Sequence, residues 1–524
     1  MSTRDNKKFN KSDNKRDNKG ENIMIRHGKR LAVLATVGGM LLVGCRSDDK
    51  SVSSESQAPT TAAASTSAAT ETTAAEGAET TVAETGETTA ETAATEETAA
   101  TEETEATEET EVAETTPVET EPPVEAWTLD TDNCPDPDAA NAPIEGEIKI
   151  GAAQPLSGTP AVAFAPIKIG MELYFKYAND NGLLPGHTIT VDSRDDQYDP
   201  PQTPNIVSSL IDEDVTFFSG IIGSPNNLAV RDTLNEECIP QLLALTGSPA
   251  WGESTDYPWT TGALVPYDIE SKIYVAAMAD LGVETVGLFS VNNEFGKVYV
   301  DGFREAAAEA GIEIIEEQTI EPAETTPPAN QLSAIANAAP DAVMAIPLGA
   351  QCPTFTKELL NAKAVAAGWD PVVFQTNTCS SRLLMSQLAG GSADGVFTSG
   401  NLVYPSDPAN AEIPGVKALL DAFAAGGFDR ASTDLGTTGT GWSVGEYTVN
   451  ILIKASESGT LSRKSIMEAA RNIEFIPSLA REGVVYKMNG DEDPYALESL
   501  TVIQWDEETQ NFIDLTDVNT DFES

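Results

Sequence analysis

Three loops rich in glycine and hydroxyl side chains have the residue types that could bind a small ligand. They cover residues 154–158, 223–225 and 246–249, and each follows a short apolar run. At the start of a helix, such a loop offers free backbone N–H groups and the positive end of the helix dipole. Because no Lys or Arg lies in these loops, they favour a carboxylate or small polar ligand over a polyphosphate. Ordinary helix capping, with Ser224 as N-cap and Pro225 at the first helical position, explains the loops as well.

Nucleophilic catalysis needs a serine or cysteine with a base beside it. The chain has few residues that could form such a pair. Ser157 and Ser224 are the candidate nucleophiles, but the chain has only two histidines, His27 and His187. Neither serine lies in a Gly-x-Ser-x-Gly elbow, and no phosphate-binding loop with its lysine is present. We therefore predict a protein that is not an enzyme and that binds no cofactor or metal.

Four cysteines follow Cys45 in the chain: Cys134, Cys238, Cys352 and Cys379. An even number in an exported protein indicates disulfides, and four cysteines allow three pairings. Cys352 and Cys379 each come soon after a strand-like run, so both emerge at the same edge of a sheet. We therefore pair Cys352 with Cys379 and Cys134 with Cys238. Zinc is the competing interpretation, but no Cys-x-x-Cys spacing supports it.

The N-terminal quarter has the composition of an export leader and a tether. Residues 1–44 have a basic start followed by an apolar run, and the segment ending in Cys45 resembles the lipobox of bacterial lipoproteins. Residues 45–126 would then be a lipidated cysteine and a disordered tether, since Thr, Ala and Glu dominate this stretch. For the leader, the alternatives are an uncleaved signal anchor and a translation start at Met24. For residues 45–126, the alternative is a spacer that only increases solubility. The net charge of −52 disfavours binding to nucleic acid.

From residue 147 onward, short apolar runs alternate with segments of helical period. About ten strands are expected, among them residues 148–152, 189–191, 215–222, 242–245, 286–289, 312–315, 342–346, 372–374 and 396–397. Helix patterns lie between most of them, for example at 295–310. Repeated strand–helix alternation predicts an α/β fold with mostly parallel sheets flanked by helices. So many strands favour two lobes over one. We expect a glycine-rich loop at 436–441 before a helix near Trp442, and a hairpin around Asn489-Gly490-Asp491.

Several short motifs occur in an order and spacing that resemble one family over nearly the whole of this module. They are Ile148-Lys149-Ile150-Gly151, Pro155-Leu156-Ser157-Gly158, Asp195-Asp196-Gln197-Tyr198-Asp199-Pro200, Asn293-Glu294-Phe295-Gly296-Lys297, Leu388-Ala389-Gly390, Asp407-Pro408-Ala409-Asn410 and residues 442–459. The chain resembles the type I periplasmic binding proteins, in the leucine/isoleucine/valine-binding branch. The resemblance implies two lobes joined by three crossovers that close on a ligand by hinge motion. It places 127–146 as an extension, 147–264 with 396–478 in lobe I, and 265–395 with 479–524 in lobe II.

The resemblance also implies a ligand site between the lobes. In that family the loop after the third strand supplies a serine hydroxyl, the next loop supplies N–H groups and a threonine, and aromatic residues cover the ligand. The matching candidates here, together with nearby cleft residues, are Ser157, Phe164, Ser224, Leu245, Thr246, Gly247, Phe295, Gln351 and Asn377. For Gln351, exposure to solvent is the simpler interpretation. Trp251 lines the cleft or packs inside lobe I.

One position departs from the family pattern. Asn377 stands where the resemblance leads us to expect the acid that binds a ligand ammonium. An ammonium buried without a carboxylate partner is costly, whereas Asn377 can hydrogen-bond an amide, urea-like or hydroxylated ligand. We therefore expect branched-chain amino acids not to be the best ligands, and tight leucine binding by calorimetry would contradict this.

The resemblance implies a monomeric, lipid-anchored binding protein outside the cytoplasm. It would capture a small polar solute, such as an amino acid, amide or urea-like compound, and pass it to the permease of an ABC importer. The alternative is a receptor of the same shape that signals to a membrane partner without transport. A purely structural surface protein would leave the clustered loops unexplained.

Overall fold

The computed structural model describes residues 126–523 of the chain. The leader predicted at 1–44 and the tether predicted at 45–126, except its last residue, therefore lie outside the described residues. The helices are α1 Pro137–Asn141, α2 Ala161–Asp180, α3 Thr203–Asp212, α4 Ser224–Glu236, α5 Tyr267–Asp280, α6 Glu294–Ala310, α7 Ala329–Ala338, α8 Gln351–Val365, α9 Pro414–Ala425, α10 Leu435–Glu457 and α11 Arg463–Arg471. Within 126–523, no helix is both long and apolar enough to cross a bilayer.

The first sheet is parallel throughout. Its strands are β1 Gly146–Gln154, β2 His187–Asp195, β3 Phe217–Ser219, β4 Gln241–Ala244 and β5 Thr260–Gly262, in the order β2-β1-β3-β4-β5. The sequence prediction contains the first four of these strands and misses the short β5. Helices cover both faces of the sheet, since α2 contacts β1 and β2 while α3 and α4 enclose a separate apolar core that includes Phe218 and Leu210.

The second sheet has seven strands, five of them parallel. They are β6 Thr285–Val291, β7 Glu313–Ile320, β8 Ala342–Ile346, β9 Val372–Gln375, β10 Phe397–Gly400, β13 Thr501–Asp506 and β14 Asn511–Asp514, in the order β14-β13-β10-β9-β8-β6-β7. Strand β13 runs antiparallel to β10, and β14 runs antiparallel to β13. The remaining pair, β11 Asn472–Phe475 and β12 Tyr486–Asn489, forms its own antiparallel sheet. The α/β fold with two mostly parallel sheets is therefore confirmed.

The chain crosses between the two sheet layers three times: after β5, after β10, and before β13. The first crossover lies between β5, which ends at Gly262, and α5, which begins at Tyr267; the boundary at 264 stays a prediction. The second is a correction, because β10 hydrogen-bonds within the second sheet and so ends lobe II at Gly400 instead of 395. The third crossover also differs from the prediction. Strand β12 pairs with β11 and contacts α11, so lobe I extends past the predicted boundary at 478. Elsewhere the division into lobes stays a prediction.

Two predictions about helix starts were wrong. The glycine-rich segment 436–441 is the first part of α10, which begins at Leu435 with Asp434 as its N-cap. Glycine weakens an isolated helix, but here it permits very close packing on α2: a Cβ added to Gly441 would lie 2.0 Å from the Ile167 carbonyl oxygen. Helix α4 begins at Ser224, so Gly223, with φ of 102°, is its N-cap.

The disulfide pairing predicted from strand positions is confirmed. Cys134 bonds Cys238, and Cys352 bonds Cys379. The first ties the N-terminal extension to the end of α4, and the second ties the start of α8 to the loop after β9. The expected hairpin at 489–491 is only an isolated bridge between Asn489 and Asp493, because β12 finds its partner in β11.

Candidate functional site

A cleft, partly open to solvent, lies where loops from both sheets meet. Such loops at the carboxyl ends of parallel strands are the usual ligand positions in α/β folds. Most of the lining is apolar or aromatic, and no charged side chain is part of it. The lining residues are Ala163, Phe164, Ile167, Tyr198, Ile222, Gly223, Leu245, Leu264, Tyr267, Phe295, Leu348, Asn377, Thr378, Ser380, Ser381, Gly400, Asn401, Leu402, Val403, Tyr404, Gly436, Thr437 and Thr440.

Four of the predicted site residues line this cleft. Phe164 in the first turn of α2 and Leu245 after β4 come from the first layer. Phe295 at the start of α6 and Asn377 after β9 come from the second layer. The structure therefore brings together residues that are far apart in the chain, such as Phe164 and Asn377, which are 213 positions apart.

The predicted hydroxyl cradle forms, but it does not reach the cleft. The hydroxyl oxygens of Ser224 and Thr246 lie 2.7 Å apart, and both residues are buried. Tyr267 from the start of α5 covers them. Its backbone N–H donates to the Gly247 carbonyl (2.7 Å), and a Cβ added to Gly247 would lie 2.6 Å from two carbons of its ring. In this structure Ser224, Thr246 and Gly247 therefore lie beneath Tyr267 and are not part of the cleft lining.

The phenol oxygen of Tyr267 lies among the donors of this cradle. Burial raises the pKa of Tyr267, and hydrogen bonds from the Gly247 N–H and from the Ser224 and Thr246 hydroxyls oppose that rise. Thr246 also accepts a hydrogen bond from the Ser248 N–H (3.0 Å). The phenol is thus surrounded by the dipoles that the sequence predicts for a ligand.

Asn377 forms the polar floor of the cleft on the second layer. Its Nδ2 donates to the Ser399 carbonyl (2.5 Å) and its backbone N–H donates to Glu270 Oε1 (2.8 Å). Among residues 126–523 no donor reaches its Oδ1, which leaves that acceptor for a bound molecule. The side-chain amide of Asn401 likewise has no hydrogen-bond partner in this part of the chain.

A buried acid stands directly behind Asn377, and sequence reasoning missed it. Glu270 is 4% exposed, and its Oε1 also accepts hydrogen bonds from the hydroxyls of Tyr274 (2.8 Å) and Ser399 (3.0 Å). Burial raises the pKa of Glu270, and these hydrogen bonds oppose the rise. Glu270 does not line the cleft, so it supports Asn377 from behind.

The remaining predicted residues lie elsewhere. Ser157 is exposed and donates to Asp195 Oδ2 (2.5 Å), which closes the loop after β1 onto the end of β2. Gln351 does not line the cleft, and it is buried, with an exposed fraction of 3%. Its Nε2 donates to the Glu321 carbonyl (2.9 Å). Trp251 is buried beneath Arg231, whose guanidinium carbon lies 5.2 Å from the ring centre, so it packs inside the first layer.

Three tyrosines of the lining were not predicted as ligand contacts. Tyr198 stacks on Phe164 with ring centres 6.3 Å apart and has φ of 59°. A side chain other than glycine with positive φ is uncommon and marks strained backbone that is frequent at functional sites. The preceding aspartates indicated a tight turn here, but φ is not readable from sequence. Tyr267 and Tyr404 lie in crossover segments, where no periodicity marks an inward-facing residue.

The sequence matches the family model described as periplasmic binding protein over residues 147–509. A Leu/Ile/Val-binding protein homolog 2 of Brucella abortus (strain 2308) is 28% identical over 107 residues, which are 20% of this chain. That match spans only 29% of the relative's length.

Solved structures share the fold at low identity. A branched-chain amino acid ABC transporter protein of Thermus thermophilus with bound valine has a TM-score of 0.64 at 18% identity, covering 72% of this chain and 97% of that one. A fatty acid ABC transporter substrate-binding protein of Thermomonospora curvata has a TM-score of 0.62 at 20% identity, covering 72% and 93%. A solute-binding protein of R. palustris in complex with benzoate has a TM-score of 0.60 at 19% identity, covering 72% and 98%. On its family match over most of its length, and with a fold that agrees, the chain belongs to the type I periplasmic binding proteins.

Proposed function

We propose that this protein is the extracytoplasmic substrate-binding component of an ABC importer. The observation that supports the proposal is the cleft between the two sheet layers, lined by loops from both. Three crossovers connect the layers, so hinge motion can open and close the cleft on a solute. No chemistry on the solute is required of this site, which fits a protein that binds and releases.

The residues that line the cleft narrow the range of solutes that we expect to bind. From sequence we expect a small polar compound such as an amino acid, an amide or a urea-like molecule. The cleft adds a largely apolar wall, including Phe164, Leu264 and Phe295. We therefore infer a small solute with an apolar or aromatic body and a compact polar head that hydrogen-bonds Asn377. The similar structures with valine, benzoate or a fatty acid in their names also concern solutes with apolar parts.

We further propose that Cys45 is lipidated and that the following acidic segment tethers the binding module to the outer face of the cell membrane. The module would act as a monomer and deliver its solute to a membrane permease. Palmitate labelling of the wild-type protein and of Cys45→Ala tests the anchor. Label retained on Cys45→Ala would count against it.

A thermal-shift screen of the purified protein tests solute binding. Amino acids, primary amides, urea, polyamines and aromatic acids form the panel. A true ligand at about 100 times its Kd adds about 2.7 kcal/mol of stability. Phe164→Ala should weaken the shift, while Phe428→Ala, a matched change at a 36% exposed site outside the cleft, should not. A panel without any shift would contradict the proposal.

Transport and sensing differ in their cellular outcome. Deleting the gene should abolish uptake of the identified solute at low concentration if the protein serves an importer. Unchanged uptake with a lost transcriptional response to the solute would favour the receptor alternative.

A further inference from the structure

Tyr267 occupies the place where this fold offers its neutral donors to a ligand. Its ring packs directly on Gly247, and the Gly247 N–H and the hydroxyls of Ser224 and Thr246 oppose the rise that burial causes in the pKa of Tyr267. The family resemblance places the same three residues at the ligand site. A side chain of the protein therefore fills the cradle at the base of the cleft.

The ring of Tyr267 is held firmly in this position. Tyr267 is 4% exposed and its backbone is anchored to Gly247. Its ring packs edge-on against Phe295, with ring centres 5.4 Å apart. It also packs at a tilt against Tyr299, with ring centres 5.2 Å apart. Because ring carbons lie within 2.6 Å of a Cβ position on Gly247, no space remains between ring and loop for a ligand group.

A carboxylate entering the cleft would consequently find no cationic partner. Among residues 126–523, no Lys, Arg or His belongs to the lining, and the hydroxyls of Ser224 and Thr246, 2.7 Å apart, are buried beneath Tyr267. Burying an ionised carboxylate without partners is strongly unfavourable. The polar groups that stay available in the lining include Asn377 Oδ1, the Asn401 amide and the Thr437 hydroxyl. They are neutral and suit an uncharged donor and acceptor.

We propose that Tyr267 substitutes for a ligand carboxylate, so that this site selects solutes with an apolar body and an uncharged head, such as a primary amide or an alcohol, over the corresponding acids. The inference rests on the proposed solute-binding function and specifies its substrate class. It also applies to free amino acids, since each of them has a carboxylate as well as an ammonium group.

Matched pairs of compounds test this selectivity on the wild-type full chain. The pairs are benzamide with benzoate, 4-hydroxybenzamide with 4-hydroxybenzoate, 3-methylbutanamide with 3-methylbutanoate, and octanamide with octanoate, each titrated by calorimetry at pH 7. We expect the amide of at least one pair to bind at least tenfold more tightly than its acid. An acid that binds more tightly than its amide would overturn this inference while leaving solute binding intact. No binding by any member would count against the proposed function, and with it against the inference.

Two variants examine the role of Tyr267 itself. Tyr267→Ala exposes the cradle, so an acid of the panel should bind at least tenfold more tightly than it binds the wild type. Tyr267→Phe keeps the ring over the cradle and should retain the preference for amides. Circular dichroism and melting curves establish that each variant is folded. A folded Tyr267→Ala that gains no affinity for any acid, or a Tyr267→Phe that prefers acids, would refute the assignment; if Tyr267→Ala does not fold, Tyr267→Phe and the wild-type pairs decide.

Discussion

Glu270 has a carboxyl group buried behind the cleft, and its contacts are with neutral donors. Burial raises its pKa above the ordinary value of 4.5. The folded state therefore binds more protons than the unfolded state, so the stability from this group is greatest below about 4.5 and is lost as pH rises through the raised value. Glu270→Gln removes this titration. Its Oε1 can still accept from Asn377, Tyr274 and Ser399, and its Nε2 can donate to the Tyr299 hydroxyl, which lacks a partner in the described chain.

The loss of stability expected for Glu270→Ala follows from the hydrogen bonds that surround this side chain. In Glu270→Ala, Ser399 can donate to Tyr274 (2.9 Å apart) and Tyr274 to the Gln375 carbonyl (3.1 Å). Only the Asn377 N–H then loses its partner, at about 1–3 kcal/mol. The loss of one buried methylene adds about 0.8 kcal/mol. We expect Glu270→Ala to be about 3 kcal/mol less stable than Glu270→Gln.

Urea denaturation from pH 5 to pH 8, followed by tryptophan fluorescence, measures these differences. Glu270→Gln should gain stability relative to the wild type as pH rises and be at least as stable at pH 8. Glu446 and Asp196, whose pKa values burial also raises, remain in both proteins and largely cancel. A Glu270→Gln protein that is less stable than the wild type at pH 8, or a difference independent of pH, would refute the reasoning.

Three further changes have defined outcomes. Gly170→Ala places a methyl group 2.0 Å from the Thr438 carbonyl oxygen and should cost at least about 3 kcal/mol in urea denaturation; a near-neutral effect would contradict the close helix packing. Replacing Cys352 and Cys379 together with alanine opens a loop with a sequence separation of 27, so we expect a loss of about 3.5 kcal/mol, and equal stability of the double variant would argue against that bond. Asn377→Ala should weaken solute binding about tenfold, equivalent to about 1.4 kcal/mol, as measured by calorimetry; unchanged affinity would exclude Asn377 as the polar contact.

The periodic parts of the fold could be predicted from the sequence because they depend on local patterns. Apolar runs such as residues 342–346 coincide with a strand, and the helix predicted at 295–310 was found at Glu294–Ala310. The disulfide pairing also followed from strand order, since the ends of parallel strands share one edge. Strand β5 and the start of α10 were mispredicted, because a three-residue strand and a glycine-rich helix depend on packing instead of propensity.

The chemistry at the base of the cleft was decided only by the tertiary structure. The sequence identified Ser224, Thr246 and Gly247 as a cluster of neutral donors, and the fold does bring them together. What occupies that cluster depends on a tyrosine from a different segment, Tyr267, whose position follows from the first crossover. The acid behind Asn377 likewise comes from α5, 107 residues earlier in the chain. Local patterns determine which groups can bind, whereas long-range contacts decide which of them a ligand can reach.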